Sequence, residues 1–403
     1  MRNKLALSLI LIALLALLAT VAVAQDDVIV VEPGDPIVLG HASILSGEGL
    51  VPLGDDITRG AELALVERDF TLTVSDVEFE LELDIQDDQC SAEGGQAIAN
   101  YFVSQGVPVV LGPTCSSACR AAGPIFDEAS VPYLSSSCTA VDLTSEDEGF
   151  ETFLRTTPND DGQGQQAAAF IFNELGIDKI ATINDGSPYG EGLVSVVTEN
   201  FEAMGGEVVV SDQVTVGDTE FRTLLSNVAD SEAGLIYFGG FPAEAARLVE
   251  QRADVGLEEM PFMGADGIQT SEFINLAGDF AEGVYASSPA PTDSPEYAEF
   301  VDTYIEEYGL EPTAAFHAYA YDMTVLALNA MEEVGEINDD GQLVIDREDL
   351  LEAMLAYGSE EEIQGLSGVL SCQENGECAL GGIGFFQVVD GEYERVEVMA
   401  EDM

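Results

Sequence analysis

Positive charge is scarce in this sequence, and tryptophan is absent. The 403 residues carry 76 acidic side chains against 12 lysines and arginines, a formal net charge of −64, and only two histidines. Such an acidic body excludes nucleic acid and anionic membrane surfaces as partners. It predicts either a stability that rises with salt, which screens self-repulsion, or acidic enrichment without salt dependence. With 46% hydrophobic residues the chain can still bury ordinary cores.

A long apolar run occurs at the start of the chain. Arg2 and Lys4 precede it, and small residues ending at Ala24 follow it. This order is typical of a secretory signal peptide, which we expect to be cleaved after Ala24. The run is shorter than the ~20 residues of a spanning helix, so permanent anchoring is the weaker alternative. The sequence therefore predicts a periplasmic or extracellular protein.

Six cysteines in an exported chain indicate disulfides rather than free thiols. Cys372 and Cys378 bracket a turn-rich insert between two apolar runs, so we expect them to form a pair across a hairpin. A metal cluster is the alternative, but the irregular spacings argue against it. The pairing of the other four cysteines stays open at this point: Cys90, Cys115, Cys119 and Cys138.

Short β-rich runs alternate with helix-period stretches over some 250 residues, and the pattern restarts after Pro158. Alternating βα units predict parallel sheets covered by helices on both faces, and two such runs predict two lobes. Later helices should return to the first lobe before strands reappear. We expect lobe I to comprise 25–157 plus about 288–370, and lobe II to comprise 158–287 plus about 371–403.

Ligands of open parallel sheets bind at the carboxyl ends of the strands, so the loops there are candidate site loops. In the first lobe these loops are rich in short hydroxyl side chains; in the second they carry aromatic rings and a carboxylate. A wall of donors opposite an acid and rings suits a zwitterion with an apolar side chain. Ordinary helix capping is the alternative for any single loop. The five loops are 112–117, 134–139, 184–190, 239–241 and 264–267.

Several motifs together resemble the leucine/isoleucine/valine-binding proteins, which are type I periplasmic substrate-binding proteins of ABC importers. The resemblance runs from Ile37 to about Val389. It implies the type I periplasmic binding protein fold, an α/β fold with two Rossmann-like, parallel-sheet lobes joined by a multi-strand hinge. The motifs are GPTCSS (112–117), LRTTPND (154–160), YGEG (189–192), YFGGF (237–241), and AAF (314–316) with YD (321–322).

The resemblance also implies roles for the polar residues of the site. Ser116 and Thr139 would hold the ligand α-carboxylate, and the Ser137 carbonyl would accept from the α-ammonium. Asp266 stands where the family usually has a glutamate that pairs with the ammonium, and it is one methylene shorter. Cys90 and Cys115 match a disulfide of the family. From their loop positions we expect a further bridge between Cys119 and Cys138, with free buried thiols as the alternative.

The apolar positions follow from the same resemblance. Tyr189 matches an aromatic residue that closes over the ligand, and Phe241 stands where a tyrosine is common. Leu53 occupies, across a one-residue shift, a position where an aromatic residue often covers the ligand side chain, and Phe316 lines the apolar end. Two further residues of the loops complete the predicted ligand-binding set: Thr114 and Cys138.

An enzyme is the first alternative, since Ser116, Ser137 and Cys138 are potential nucleophiles. Nucleophilic catalysis needs an activating base, and His41 and His317 are the two histidines of the chain. The sequence GLSG at 365–368 does not complete the Gly-x-Ser-x-Gly elbow of a hydrolase. A loop at 336–347 has partial EF-hand spacing, but Arg347 at its twelfth position cannot ligate calcium.

The sequence therefore predicts a monomeric extracytoplasmic solute-binding protein that performs no chemistry. It would bind an amino acid, branched-chain or otherwise apolar, and deliver it to the permease subunits of an ABC transporter. No cofactor or metal is expected. The remaining alternative is a receptor-type domain that uses the same fold to sense amides, urea or small carboxylates.

Overall fold

The computed structural model describes residues 27–398, and the predicted signal segment at 1–24 lies outside them. The strands in chain order are β1 Val28–Val31, β2 Ile37–Ser43, β3 Thr71–Val74, β4 Val77–Asp87, β5 Val110–Leu111, β6 Tyr133–Ser135, β7 Phe153–Arg155, β8 Lys179–Asn184, β9 Glu207–Gln213, β10 Ile236–Gly239, β11 Phe262–Gly264, β12 Tyr285–Ala290, β13 Glu336–Ile337, β14 Leu343–Asp346, β15 Ile363–Gln364, β16 Val369–Leu370, β17 Gly382–Val389 and β18 Glu392–Arg395. The α-helices are α1 Val51–Val66, α2 Ala92–Gln105, α3 Ser116–Glu128, α4 Asp160–Ala169, α5 Pro188–Ala203, α6 Arg222–Ala229, α7 Pro242–Arg252, α8 Ser271–Ala277, α9 Pro295–Tyr308, α10 His317–Val334 and α11 Arg347–Ala356.

The first lobe is built on a sheet with the strand order β3-β4-β2-β5-β6-β7. All its pairs are parallel except the β3–β4 hairpin. One face is covered by α2 and α3, and the other by α1, α10 and α11. Helices distant in sequence thus complete the first core, as the helical tail predicted.

The alternation in β4 shows how sequence sets the faces of this sheet. Phe79 and Leu81 are buried, whereas Glu78, Glu80 and Glu82 are exposed. Successive side chains of a strand point to opposite faces, so this period-two pattern turns one side of β4 into the core. The same alternation in the sequence predicts a strand at this position, and the structure confirms it.

A close helix–helix contact explains one glycine of α1. A β-carbon built on Gly60 would lie 2.1 Å from the backbone oxygen of His317, the first residue of α10. A side chain at this position would push the two helices apart. Gly60 therefore lets α10 pack tightly against α1 at the site end of the first lobe.

The second lobe is built on a sheet with the order β18-β17-β12-β11-β10-β8-β9. The strands from β8 to β12 are parallel, and β17 and β18 add an antiparallel edge. Apolar clusters bury both faces of the sheet, one beneath α4 and α5 and the other beneath α6, α7 and α8.

The described chain passes between the lobes after β7, after β12 and before β17. The hairpin closed by Cys372 and Cys378 lies on the first-lobe side of the last passage. Arg155 of β7 donates its N–H to the oxygen of Gly376 at 2.9 Å, and the N–H of Cys378 donates to the oxygen of Arg155 at 3.0 Å. The second-lobe sheet resumes only at Gly382. Residues 372–378, which were expected in lobe II, therefore bond to lobe I.

Two doubly covered sheets, joined by several crossings, confirm the predicted α/β fold class. Two small sheets, β1-β14-β13 and β15-β16, lie outside the main ones. Among the helices of residues 27–398, none combines the length and the apolar character needed to cross a bilayer.

Candidate functional site

The carboxyl ends of the parallel strands of both lobes face one cavity, called here the inner cavity. The two walls lie close together, so the space between them is narrow. Its lining comes from the first lobe (Leu53, Thr114, Cys115, Ser116, Ser137 and Phe316) and from the second lobe (Tyr189, Phe241, Asp266 and Gly267).

The first-lobe wall presents hydroxyl groups at the start of α3. Ser116 is the first residue of that helix, and its Oγ accepts from the N–H of Ala140 at 3.2 Å. The hydroxyl hydrogen of Ser116 is therefore available to a ligand oxygen. The first N–H groups of a helix lack intrahelical acceptors and also favour an anion. This wall is suited to a carboxylate.

Hydrogen bonds fix the loop that carries Thr114. Its N–H donates to Oδ2 of Asp88 at 2.6 Å, and its carbonyl oxygen accepts from the Ser137 hydroxyl at 2.7 Å. The Thr114 hydroxyl is buried beside the same carboxyl group. Burial raises the pKa of Asp88 to about 6, while the N–H donors of Thr114 and Cys90 oppose that rise. The wall is thus held in place by buried polar contacts.

The second-lobe wall carries the carboxyl group of Asp266, in a turn just after β11. Oδ1 of Asp266 accepts from Gln163 Nε2 at 2.7 Å and from the Tyr189 hydroxyl at 3.0 Å. Burial raises the pKa of Asp266 to about 6, and these two hydrogen bonds oppose the rise. Near neutral pH this carboxylate can pair with a cation in the cavity.

Aromatic rings complete the second wall. The Tyr189 hydroxyl also accepts from the N–H of Gly267 at 3.1 Å, which fixes the ring. The rings of Tyr189 and Phe241 lie 5.4 Å apart between centroids, at an angle of 41°. With Leu53 and Phe316 from the first lobe, they give the inner cavity apolar surface for a ligand side chain.

A family model described as periplasmic binding protein matches residues 36–390. The chain belongs to this family. A leucine-, isoleucine-, valine-, threonine- and alanine-binding protein of Pseudomonas aeruginosa is 32% identical over 262 residues, which are 65% of this chain and 69% of that protein. This relative places the chain among the branched-chain amino acid-binding proteins of the family.

Two solved structures share the fold of this periplasmic binding protein. A leucine-binding protein from Thermotoga maritima has a TM-score of 0.81 at 24% identity, and the match covers 91% of this chain and 100% of that one. A substrate-binding protein of a branched-chain amino acid transporter from Streptococcus pneumoniae, in complex with isoleucine, has a TM-score of 0.77 at 24% identity, covering 90% and 100%.

Eight of the ten ligand-binding residues expected from the sequence line the inner cavity of the binding protein. The other two, Cys138 and Thr139, are buried behind Ser137. The sulfur of Cys138 is bonded to Cys119, so it is not a nucleophile. The Thr139 hydroxyl faces the carboxyl of Asp160. Ser137 is the member of this run that reaches the cavity.

The six cysteines of the chain form three disulfides: Cys90–Cys115, Cys119–Cys138 and Cys372–Cys378. This confirms the expected hairpin pair, the pair implied by the family, and the further bridge inferred from loop position. The first two disulfides lie at the hydroxyl wall, where Cys115 lines the inner cavity.

Asp160 and Gln163 were not predicted to belong to the site. Asp160 begins α4 and is fully buried, and its carboxyl group lies beside the Thr139 hydroxyl. Burial raises its pKa well above the ordinary value, and the nearby Asp266 charge adds to the rise. No motif spacing in the sequence indicates either residue. They reach Asp266 only because the chain crosses between the lobes after β7, which places α4 beside it. The signal in the sequence that could have found them is the motif LRTTPND, which ends at Asp160 and is followed three residues later by Gln163.

Both histidines are engaged away from the inner cavity. His41 contacts Thr58 and the Leu111 oxygen, and burial lowers its pKa to about 4. His317 contacts Asp56 and the Tyr297 hydroxyl. Within residues 27–398, no group of three or more His, Cys, Asp or Glu side chains is arranged to hold a metal ion.

Proposed function

We propose that this protein captures an amino acid with a branched or other apolar side chain outside the cytoplasm. It would act as a monomer and deliver the ligand to the permease of an ABC importer. The observation that carries the proposal is that Ser116 and Asp266 line one cavity from opposite lobes. The names of the relatives support the same ligand class.

The zwitterionic head of an amino acid matches the two walls. Its carboxylate would accept from the Ser116 hydroxyl and the first-turn amides of α3. Its ammonium would pair with Asp266. Burying both charges is costly unless each is paired and hydrogen bonded, and the two walls provide these partners. The binding step would need no proton transfer to or from the ligand.

Capture would require the two lobes to open and close. Contacts between the lobes support such a closure: Arg247 Nη2 lies 2.8 Å from Glu48 Oε1, and the N–H of Ser271 donates to the Thr313 oxygen at 3.0 Å. We propose that the lobes rotate about the crossing segments, as hinged binding proteins do. The closed shape would then signal occupancy to the permease.

Calorimetry with leucine and isoleucine on the purified protein tests this function. We expect Asp266→Ala to weaken binding by ~2–5 kcal/mol, about 30-fold to several thousand-fold, because the buried ammonium loses its partner. The matched control is Asp279→Ala, which removes an exposed carboxyl from the same lobe and should leave affinity unchanged.

Equal affinity of the Asp266→Ala variant and the parent would refute the assignment of Asp266. A thermal-shift screen with acetamide, urea and propionate covers the sensing alternative, since a ligand that binds the folded state raises the melting temperature. Stabilisation by these compounds, without stabilisation by amino acids, would replace amino-acid capture with that alternative.

A further inference from the structure

A fully buried arginine lies behind the first-lobe wall of the inner cavity. Arg155 is the last residue of β7, its side chain is 0% exposed, and it does not line the cavity. Burying a guanidinium is costly unless its donors are paired. Its nitrogens Nε, Nη1 and Nη2 all donate hydrogen bonds, so their acceptors show what this side chain holds in place.

One nitrogen of Arg155 fixes the backbone at the end of a site loop. Nη1 donates to the oxygen of Cys138 at 3.0 Å and to the oxygen of Ala140 at 2.8 Å. These two oxygens lie on either side of the peptide that carries the N–H of Ala140. That N–H donates to Ser116 Oγ at 3.2 Å. The guanidinium therefore holds the peptide that in turn holds the Ser116 side chain.

The hydroxyl of Ser116 is thereby aligned before a ligand arrives. A free serine side chain can occupy three staggered rotamers, which place its oxygen in three different positions. Donation from the N–H of Ala140 favours one position and leaves the hydroxyl hydrogen available to the cavity. A donor that is already aligned loses less conformational entropy when the ligand binds. The backbone at 138–140 thus determines how well Ser116 can serve a carboxylate.

The guanidinium is itself held by an acid from the hairpin at 372–378. Both carboxyl oxygens of Glu377 accept from Arg155 Nε, each at 3.1 Å. Oε1 of Glu377 also accepts from Asn159 Nδ2 at 2.9 Å and from the Thr144 hydroxyl at 2.7 Å. Burial alone would raise the pKa of Glu377, but the Arg155 charge and these hydrogen bonds lower it. Glu377 is therefore ionised near neutral pH and orients the guanidinium.

We propose that Arg155 is a positioning residue for carboxylate binding. Held by Glu377, it fixes the backbone at 138–140 and, through the N–H of Ala140, the hydroxyl of Ser116. This inference rests on the proposed function and adds to it a side chain that does not touch the ligand. The hairpin at 372–378 contributes to the hydroxyl wall in this way without lining the inner cavity.

A double-mutant cycle with L-leucine, measured by calorimetry, tests the proposal. Its four proteins are the parent, Arg155→Lys, Ser116→Ala and the double variant. Lysine keeps the positive charge, but a single ammonium does not reproduce the planar fork that reaches Glu377 and two carbonyl oxygens at once. We expect Arg155→Lys to weaken leucine binding about fivefold, as for the loss of one hydrogen bond. In the Ser116→Ala background its effect should be less than about twofold, because no hydroxyl remains to be positioned.

The matched control is Arg347→Lys, the same replacement at another buried arginine of the first lobe. Arg347 is 1% exposed, and its Nη2 donates to the oxygen of Val107 at 2.8 Å. Val107 precedes β5, whereas the inner cavity lies beyond the carboxyl end of that strand. The control should leave leucine affinity within about twofold of the parent in both backgrounds.

Glu377→Gln is a second variant, for use also if Arg155→Lys does not fold. It keeps the shape of the side chain and removes its charge. We expect a loss of leucine affinity of about threefold, in line with a weaker hold on the guanidinium, and again a smaller loss in the Ser116→Ala background. This variant runs the same cycle with Arg155 intact.

Two results would overturn the positioning role. One is leucine affinity unchanged by Arg155→Lys. The other is an equal loss in both backgrounds, since Arg155 would then act on the fold as a whole and not through Ser116. In either case leucine binding by the parent leaves the proposed function standing. If the parent does not bind leucine, or if Ser116→Ala binds it as tightly as the parent, the proposed role of Ser116 itself is refuted.

Discussion

The two walls of the inner cavity are built from different chemistry. The first-lobe wall presents neutral hydroxyls and amides, held by two disulfides and by buried hydrogen bonds around Thr114. The second-lobe wall presents a carboxyl group and aromatic rings, and its residues take part in none of the three disulfides.

This contrast reflects what each kind of partner needs. A neutral hydrogen bond contributes only about 1 kcal/mol, so a wall of such donors must be aligned before the ligand arrives. A buried charge interacts more strongly, but its strength depends on its protonation state. The first wall should therefore respond to loss of its covalent supports, and the second to pH.

Removing the Cys119–Cys138 disulfide should destabilise the protein more than removing the Cys372–Cys378 disulfide. The double variant Cys119→Ala with Cys138→Ala releases a loop whose ends are 19 residues apart, which costs ~3 kcal/mol in the chain-entropy model. Urea unfolding measures the loss. The control pair, Cys372→Ala with Cys378→Ala, opens a loop of separation 6 and should cost less, ~2 kcal/mol. A loss no larger than that of the control pair would contradict the view that this disulfide is the stronger support.

Lowering the pH below about 6 should weaken leucine binding by about tenfold per pH unit, because Asp266 then becomes protonated. Burial raises the pKa of Asp266 in the free protein to about 6, and a bound ammonium favours the ionised form. Leucine affinity should thus be constant above about pH 7 and fall below pH 6, where the ligand must displace a proton. Calorimetry from pH 4.5 to 8 measures it.

The raised pKa of Asp266 affects folding stability in the opposite direction from ligand affinity. Because the folded pKa of Asp266 lies above its ordinary value of 3.8, its contribution to the stability of the free protein is present below about pH 4 and is lost as pH rises through 6. The control variant is Asp185→Asn, because Asp185 has a similarly raised pKa but does not line the inner cavity. This variant should keep the pH dependence of leucine affinity. If leucine affinity did not change with pH, Asp266 would not be the partner of the ligand ammonium.

The contact where the lobes meet should give the smallest effect. Glu48→Gln removes the ion pair with Arg247, and exposed pairs of this kind contribute ~0.2–1 kcal/mol. We expect leucine affinity to fall by up to about fivefold, and by less at high salt. Glu220→Gln breaks an exposed pair within the second lobe and should leave affinity unchanged. An equal effect of both variants would show that the lobe-crossing pair does not favour closure.

Local pattern was sufficient to predict most of the two sheets, because buried strands and capped helices have strong periodic signals. β12 was not predicted. Its sequence, YASSPA, contains buried Ser287 and Ser288 rather than an apolar alternation. One helix start also differs from the prediction: the helical pattern of the sequence predicts a start at Gln163, whereas α4 begins at Asp160, after the Asn159 cap.

The site was predictable where strand-end loops carry it. Ligands bind at the carboxyl ends of parallel strands, and this rule together with the family resemblance predicts that Ser116, Tyr189 and Asp266 line one cleft. It could not separate neighbours within a loop: Ser137 reaches the cavity, whereas Cys138 is tied back by its disulfide. That distinction depends on tertiary contacts, which no periodicity in the loop records.

The buried Arg155 determines which part of the chain can turn when the lobes separate. Its guanidinium pairs with Glu377 and donates to the oxygens of Cys138 at 3.0 Å and Ala140 at 2.8 Å. The disulfide-closed hairpin is thereby clamped to the first lobe, although the next strand belongs to the second. The first-lobe contacts continue to Leu380, whose N–H donates to the Val369 oxygen at 3.0 Å, and β17 of the second lobe begins at Gly382. We therefore expect rotation of the chain at this crossing to concentrate at Gly381, a single residue that acts as a swivel between the two lobes.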